Sequence, residues 1–214
     1  MLTDEKEDYL KVIYELSSDY EFVPNKLIAQ ALNIKPPSVS EMMTRLNQEG
    51  YIEIKPYKGV KLSQKGLDAT LSLIKRHRII ECFLIASLDY KWNEVHEEAE
   101  ILEHKVSDKF IERLDKMLGY PKYCPHGALI PRDNIIDDGY ETIMQLDVQT
   151  AFELKKVDDE YQLLQYLSDQ NVSIGDTLIL IKKDNANNVV HIQTSNQETF
   201  IISFENAMKM YYAP

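Results

Sequence analysis

Apolar residues recur at helical spacing through the first part of the chain. Tyr9, Leu10, Ile13, Tyr14 and Leu16 predict a helix over residues 3–17, with Asp8 near its start. Leu27, Ile28, Ala31 and Leu32 predict a short helix over 25–32, with Asn25 as its N-cap. Asn33 and Ile34 turn the chain, and Pro36 and Pro37 open a third helix at a position where a missing N–H costs little. Its buried stripe is Val39, Met42, Met43 and Leu46, and Gly50 stops it. The period then changes to two. Tyr51-Ile-Glu-Ile and Val60-Lys-Leu-Ser alternate on either side of Pro56–Gly59, a hairpin with a basic tip. Helix, helix, turn, helix, hairpin is the order of a winged helix-turn-helix.

A long helix follows over 64–88, and its end, Ile79–Ala86, is apolar on more than one face. Such a surface fits burial against a neighbour or another subunit. Val95, Ala99, Leu102, Val106, Phe110, Leu114 and Met117 form one stripe and predict a single helix over 94–118, ended by Gly119. Residues 121–150 read as loop with one short helix over 134–146. Strands come next at Ala151–Leu154, Thr177–Ile181, Val189–Ile192 and Thr199–Ile202, with a helical turn near 160–168. They make a small β-barrel-like module. No apolar run is long enough to span a bilayer, and MLTDEKEDY lacks the basic start and apolar core of a signal peptide. The expectation is a cytoplasmic protein without membrane contact.

Charge alters this picture in one respect. The net charge of −11 argues against a generic nucleic-acid coat. Between residues 22 and 65, however, Lys26, Lys35, Arg45, Lys55, Lys58, Lys61 and Lys65 face only Glu41, Glu49 and Glu53. The acidic excess lies elsewhere, which fits a DNA-facing patch on a protein that carries cation-binding carboxylates, although chance clustering of surface lysines gives the same count. A helix-turn-helix sets its second helix in the major groove. The exposed positions here are Lys35, Pro37, Ser38, Ser40, Glu41, Thr44 and Arg45, and Tyr57 and Lys58 at the hairpin tip are placed to touch flanking backbone.

The second chemistry is metal-like. His96, Glu100, Glu103 and His104 stand at relative positions 0, 4, 7 and 8, within an arc of about 100° on one helical face. His77 and Glu81 form an i, i+4 pair on the preceding helix. In Cys124-Pro-His126-Gly two ligand types stand two apart in a loop, but no second Cys/His pair makes a zinc finger. Asp8 is a weaker candidate on spacing alone, and Asp158-Asp159-Glu160 also reads as a solvated acidic turn. Oxygen-rich donor sets suit Mn²⁺, while affinity alone favours Fe²⁺, Co²⁺ or Zn²⁺. No HExxH or comparable signature marks a catalytic metal, so an enzyme is not expected.

IKPPSVSEMMTRL, GVKLSQKG, KRHRIIECFL, VHEEAEILEHKVSD and CPHG, taken in order, resemble the diphtheria toxin repressor family. They are most similar to its manganese-responsive branch with a C-terminal SH3-like domain. The resemblance implies three domains: a winged helix-turn-helix over 1–63, a helical metal-binding and dimerisation domain over 64–148, and an all-β SH3-like barrel over 149–214. It implies a homodimer that binds a pseudo-palindromic operator when loaded with Mn²⁺ and represses metal-uptake genes, with Fe²⁺, Zn²⁺ or Cd²⁺ able to substitute in vitro. It assigns Asp8, Glu100, Glu103 and His104 to one site, with His77 nearby, and Glu81, Cys124, His126 and Asp159 to another. His96 matches a ligand position of the iron-responsive relatives. Asp8 and Glu100 stand where those relatives have a thioether and a thiol, and the harder oxygen donors favour manganese. Lys11 stands where short manganese regulators carry a second carboxylate, so a two-manganese cluster built as theirs is not implied. The alternatives are an iron- or zinc-responsive member of the family, and a winged-helix regulator gated by a non-metal effector.

Overall fold

The computed structural model describes residues 2–132 and 139–214. The chain divides into two compact units, Met1–Arg76 and His77–Pro214.

The first unit opens with α1 (Asp4–Leu16), which buries Tyr9, Leu10 and Ile13 and carries Asp4, Glu5 and Glu7 in its first turn, where carboxylates favour the helix dipole. In α2 (Asn25–Ala31) the N-cap is Pro24, not Asn25, and no side chain caps the helix. The helix thus starts one residue earlier than an Asn25 cap implies, and its packing face is narrower than the stripe read from sequence: Ile28 and Ala29 are buried, Leu27 and Leu32 half-buried, and Ala31 exposed. α3 (Pro36–Gln48) starts on its two prolines and buries Val39, Met42, Met43 and Leu46 as expected. Truncating one of these, such as Leu46→Ala, costs about 2–5 kcal/mol in a close-packed core.

The wing is β1 (Ile52–Lys55) paired antiparallel with β2 (Gly59–Leu62). Val23 adds a bridge to its edge, exchanging backbone hydrogen bonds with Val60 at 2.7 and 3.0 Å. Gly59 permits this approach, since a Cβ there would lie 2.2 Å from the Val23 carbonyl oxygen. Twelve buried side chains, from Tyr9 to Val60, form this unit's core.

α4 (Gln64–Leu88) runs through the division between the units. The single helix expected over 94–118 is two helices, α5 (Val95–Glu103) and α6 (Asp108–Met117). Ser107, extended at φ −80° and ψ 155°, is the N-cap of α6, and its side chain accepts the Phe110 N–H. The break resets the phase. α6 buries Ile111 and Leu114, while Phe110 and Met117, assigned to the stripe, are exposed. Ile79, Ile80, Leu84, Val95, Ala99, Ile111, Leu114 and Ile130 make the helical core. Asp115 and Arg132 close the following loop with a two-pronged ion pair at 2.6 and 2.5 Å.

Of the helix expected over 134–146, residues 134–138 lie outside the described residues. The remainder is β3 (Glu141–Thr142) followed by a 3₁₀ turn, Ile143–Gln145. Beyond it β4 (Thr150–Glu153), β6 (Thr177–Asp184), β7 (Val189–Thr194) and β8 (Thr199–Ser203) form an antiparallel sheet in the order β4-β6-β7-β8. Here β5 is Lys156–Val157, and with β9 (Met210–Tyr212) and β3 it makes a second sheet in the order β3-β9-β5. Two helices, α7 (Tyr161–Asp169) and α8 (Phe204–Ala207), accompany the sheets. Inward residues of both sheets pack with Leu163, Leu164 and Leu167 of α7 in a third hydrophobic cluster. The result is a helical N-terminal part followed by a β-rich, SH3-like domain. No helix among the described residues is long and apolar enough to cross a membrane.

Candidate metal centre

Helical spacing puts His77 and Glu81 on one face of α4, and both are buried. His77 is held between two carboxylates. Its Nδ1 lies 2.5 Å from Glu103 Oε2, and its Nε2 lies 3.1 Å from Glu81 Oε1. His104, the C-cap of α5, places Nε2 3.5 Å from Glu103 Oε1. On the other side, Glu81 Oε1 lies 3.3 Å from His126 Nδ1, which is 3.6 Å from Asp159 Oδ2. Asp159 Oδ2 is also 2.5 Å from His96 Nδ1, and His96 Nε2 is 3.3 Å from Glu100 Oε1. From His104 to Glu100 the second unit thus holds an alternating row of imidazoles and carboxylates.

Two groups of donor atoms from the described residues of the second unit are tight enough for one ion. His77, Glu81, His96 and Asp159 form one, Glu81, Cys124 and His126 the other, with all donors of a group within 4.8 Å of one another. They share Glu81. Asp159, one reading of which was a solvated turn, faces the donors. Its neighbours do not: Asp158 accepts from the Tyr211 hydroxyl, and Glu160 pairs with Lys209. Of the single face read over 96–104, Glu103 and His104 stay together, while His96 and Glu100 meet each other and Asp159 instead. Asp8 lies on α1 in the first unit.

The electrostatics favour a cation. Burial opposes the charge on Glu81, but the His77 and His126 rings outweigh it and hold its carboxyl well below the usual range. Burial also opposes an imidazolium at His126. The nearby Cys124 and Glu81 side chains, and the charges of Glu81 and Asp159, prevail and lift it to about 11. Against the same penalty, Asp159 and Glu100 lift His96 to about 10. Burial and the Glu81 charge push the Cys124 thiol up. Each of these shifts favours positive charge between the carboxylates, which a divalent ion would also supply.

One atom tests the fit. His126 Nε2 donates to the Trp92 carbonyl at 2.6 Å, while its Nδ1 is buried without a hydrogen-bond partner and faces the carboxylates. An imidazole pinned through one nitrogen, with the other turned to carboxylate and thiol donors, is the arrangement of a metal ligand. The donor set fits. Trp92, whose carbonyl holds the His126 ring, carried no periodic or motif signal that would have singled it out. Trp92 is the chain's single tryptophan, which is the one hint the sequence offered.

In the first unit Pro37, Ser38, Ser40, Glu41, Thr44 and Arg45 are all exposed on α3, with Lys35 just before it. Ser40 and Thr44 return their hydroxyls to the Pro36 and Ser40 carbonyls, and Arg45 pairs with Glu41. Tyr57 projects fully from the wing tip beside Lys58.

A winged helix with a free recognition face, joined to a helical unit lined with buried metal donors, is the architecture of a metal-responsive DNA-binding regulator. Two family descriptions match in succession: "Iron dependent repressor, N-terminal DNA binding domain" over residues 1–60, and "Iron dependent repressor, metal binding and dimerisation domain" over 63–132. The chain belongs to this family, that of the iron-dependent and diphtheria toxin repressors, whose members are DNA-binding metalloregulators and not enzymes. The iron-dependent repressor IdeR of Mycobacterium tuberculosis is 32% identical over 130 residues, 61% of this chain and 56% of that protein. The chain thus spans little more than half the length of that curated relative. The structure of the manganese regulator SloR is 40% identical, with 97% of each chain covered and a TM-score of 0.82. That of ScaR with bound Cd²⁺ is 36% identical, covering 97% of this chain and 98% of the other, with a TM-score of 0.87.

Proposed function

We propose that this chain is a manganese-dependent transcriptional repressor that binds a pseudo-palindromic operator as a homodimer and controls metal-uptake genes. The observation that carries the metal half is the buried His126 Nδ1, which makes no hydrogen bond and is turned toward Glu81 Oε1 at 3.3 Å and Asp159 Oδ2 at 3.6 Å. The exposed polar face of α3 carries the DNA half. Likeness to a regulator described as responding to manganese supports the choice of ion, as does the predominance of carboxylate and imidazole donors.

In this reading Glu81, Cys124, His126 and Asp159 hold one ion, and Glu100, Glu103 and His104 contribute to another. The assignment of Asp8 and Glu100 to the latter rests on the family resemblance. A bound ion would supply positive charge among these carboxylates and offset their mutual repulsion. His77 links the two ligand sets, since it touches both Glu81 and Glu103. The three-part division at 63/64 and 148/149 belongs to the same reading, with DNA recognition in the first part and every metal donor except Asp8 drawn from the other two.

Cys124 favours a second reading, in which Zn²⁺ is the effector, because a thiolate suits zinc better than manganese. The deciding experiment is operator binding by metal-stripped full-length protein titrated separately with Mn²⁺, Fe²⁺ and Zn²⁺. We expect Mn²⁺ to tighten binding at the lowest free concentration relative to cellular supply. Operator affinity that is equal with and without every metal would refute both readings. His104→Ala and Asp8→Ala should each abolish the metal response with secondary structure retained by circular dichroism, and a full response in Asp8→Ala would remove Asp8 from the ligand set.

A further inference from the structure

The His126 ring is gripped from the side opposite its metal-facing nitrogen. The Trp92 carbonyl accepts from Nε2 at 2.6 Å, and the Trp92 ring stacks on the imidazole with centroids 6.1 Å apart and planes inclined by 27°. A carbonyl can only accept, so this bond keeps a proton on Nε2, and Nδ1 is the nitrogen that would give up its proton to a cation. Trp92 itself sits in the loop between α4 and α5, which has no helix or strand ladder to hold it. Two side-chain bonds to α7 do so instead. Trp92 Nε1 donates to Ser168 Oγ at 2.5 Å, and Asn93 Nδ2 donates to Gln165 Oε1 at 2.7 Å. Asp159 lies two residues before α7. One short stretch of the C-terminal domain therefore presents a carboxylate to the site and anchors the loop that orients an imidazole of the same site.

We propose that Trp92, anchored by Ser168, is a positioning residue that keeps His126 Nδ1 turned to Glu81, Cys124 and Asp159, so that metal affinity depends on a helix of the β-rich domain that touches no metal. This rests on the reading of those four residues as a metal site. The sequence distance involved hides the link: the anchor, the loop and the ligand come from three separate parts of the chain. Ring-orienting partners of metal-bound histidines change metal affinity by about 10- to 100-fold when removed. An anchor acting one step further away should fall at the low end.

The test uses the full-length protein. Mn²⁺ binding is measured calorimetrically, and the Zn²⁺-loaded form gives long-range ¹H–¹⁵N spectra of the imidazoles. Ser168→Ala and Trp92→Phe should each weaken the Cys124-dependent binding event about tenfold and speed exchange of the His126 Nε2–H with water. Ser168→Thr, which keeps the hydroxyl, should restore both. Wild-type affinity and unchanged exchange in Ser168→Ala would overturn the proposal, as would equal losses in Ser168→Thr and Ser168→Ala. If Trp92→Phe fails to fold, the Ser168 pair decides alone. Cys124→Ala separates the two levels. If no binding event is sensitive to it, the metal-site reading itself fails and takes the positioning role with it. If it removes an event that Ser168→Ala leaves intact, the site stands and only the positioning role is lost.

Discussion

Gly127 follows His126 at φ +80°, and a Cβ there would stand 1.9 Å from the Lys155 carbonyl oxygen and 2.8 Å from its carbon. The close approach has a purpose in the fold: the His126 carbonyl accepts the Val157 N–H at 2.9 Å, which brings the Cys124–Gly127 turn against the strand leading to Asp159. Gly127→Ala should therefore separate ligands as well as strain the backbone. A non-glycine residue forced into this conformation costs about 1–3 kcal/mol, a fall of about 2–10 °C in Tm for a chain of this size. Differential scanning calorimetry of the metal-free protein checks it, and an unchanged Tm would mean that the turn can back away from Lys155. In the sequence, Cys124-Pro-His126-Gly was legible as a pair of donors. The need for its glycine was not, because the clashing atoms belong to backbone far along the chain. The same holds for Asp159, which differs from Asp158 and Glu160 in nothing but the direction that the folded chain gives it.

The helix pair α5–α6 is the element whose form the sequence misled. Its apolar residues keep one phase from Val95 to Met117, so periodicity joins what a single cap divides. Ser107 makes the difference, and Ser107→Ala distinguishes the two arrangements by sign. Inside a continuous helix alanine would stabilise by a few tenths of a kcal/mol. At an N-cap the same change costs about 1 kcal/mol, which is the expected outcome in urea unfolding at constant m-value. The three helices of the first unit and the four longer strands of the last domain were legible because each presents a full period. β3, β5 and β9 have two or three residues, too few for alternation, and exist only because β9 pairs on both sides. At the β6–β7 turn, Asp184 accepts from Lys182 and from Asn187, and these bonds draw its carboxyl down to about 2. A depressed acid contributes stability above its ordinary pKa of 3.8 that is lost as pH falls toward 2. The amide signals of residues 184–188 should therefore shift together in that window by NMR, and a midpoint near 3.8 would contradict the turn geometry.

At the scale of the whole molecule, two functions with opposite electrostatic demands share one chain. The first unit needs positive charge against phosphate, yet the protein carries a net charge of −11, much of it in carboxylates of the second unit. In the proposed function, divalent ions at those carboxylates would reduce the negative field that an operator meets, so metal and DNA should favour each other even before any change of conformation is considered. Thermodynamic linkage makes the effect reciprocal. If Mn²⁺ raises operator affinity by a given factor, operator must raise Mn²⁺ affinity by the same factor, with a coupling of about 1–3 kcal/mol expected for such systems. Arg45→Ala supplies the control. Its guanidinium pairs with Glu41 on the exposed face of α3, so removing it should weaken operator binding by about 1–3 kcal/mol. Mn²⁺ affinity of the free protein should not change, because no metal donor is disturbed. Titrating Mn²⁺ into wild type and Arg45→Ala, each with and without operator at saturation, measures both legs of the cycle. Equal Mn²⁺ affinity in the presence and absence of saturating operator would show that the buried donors and the recognition helix, though carried on one chain, do not speak to each other.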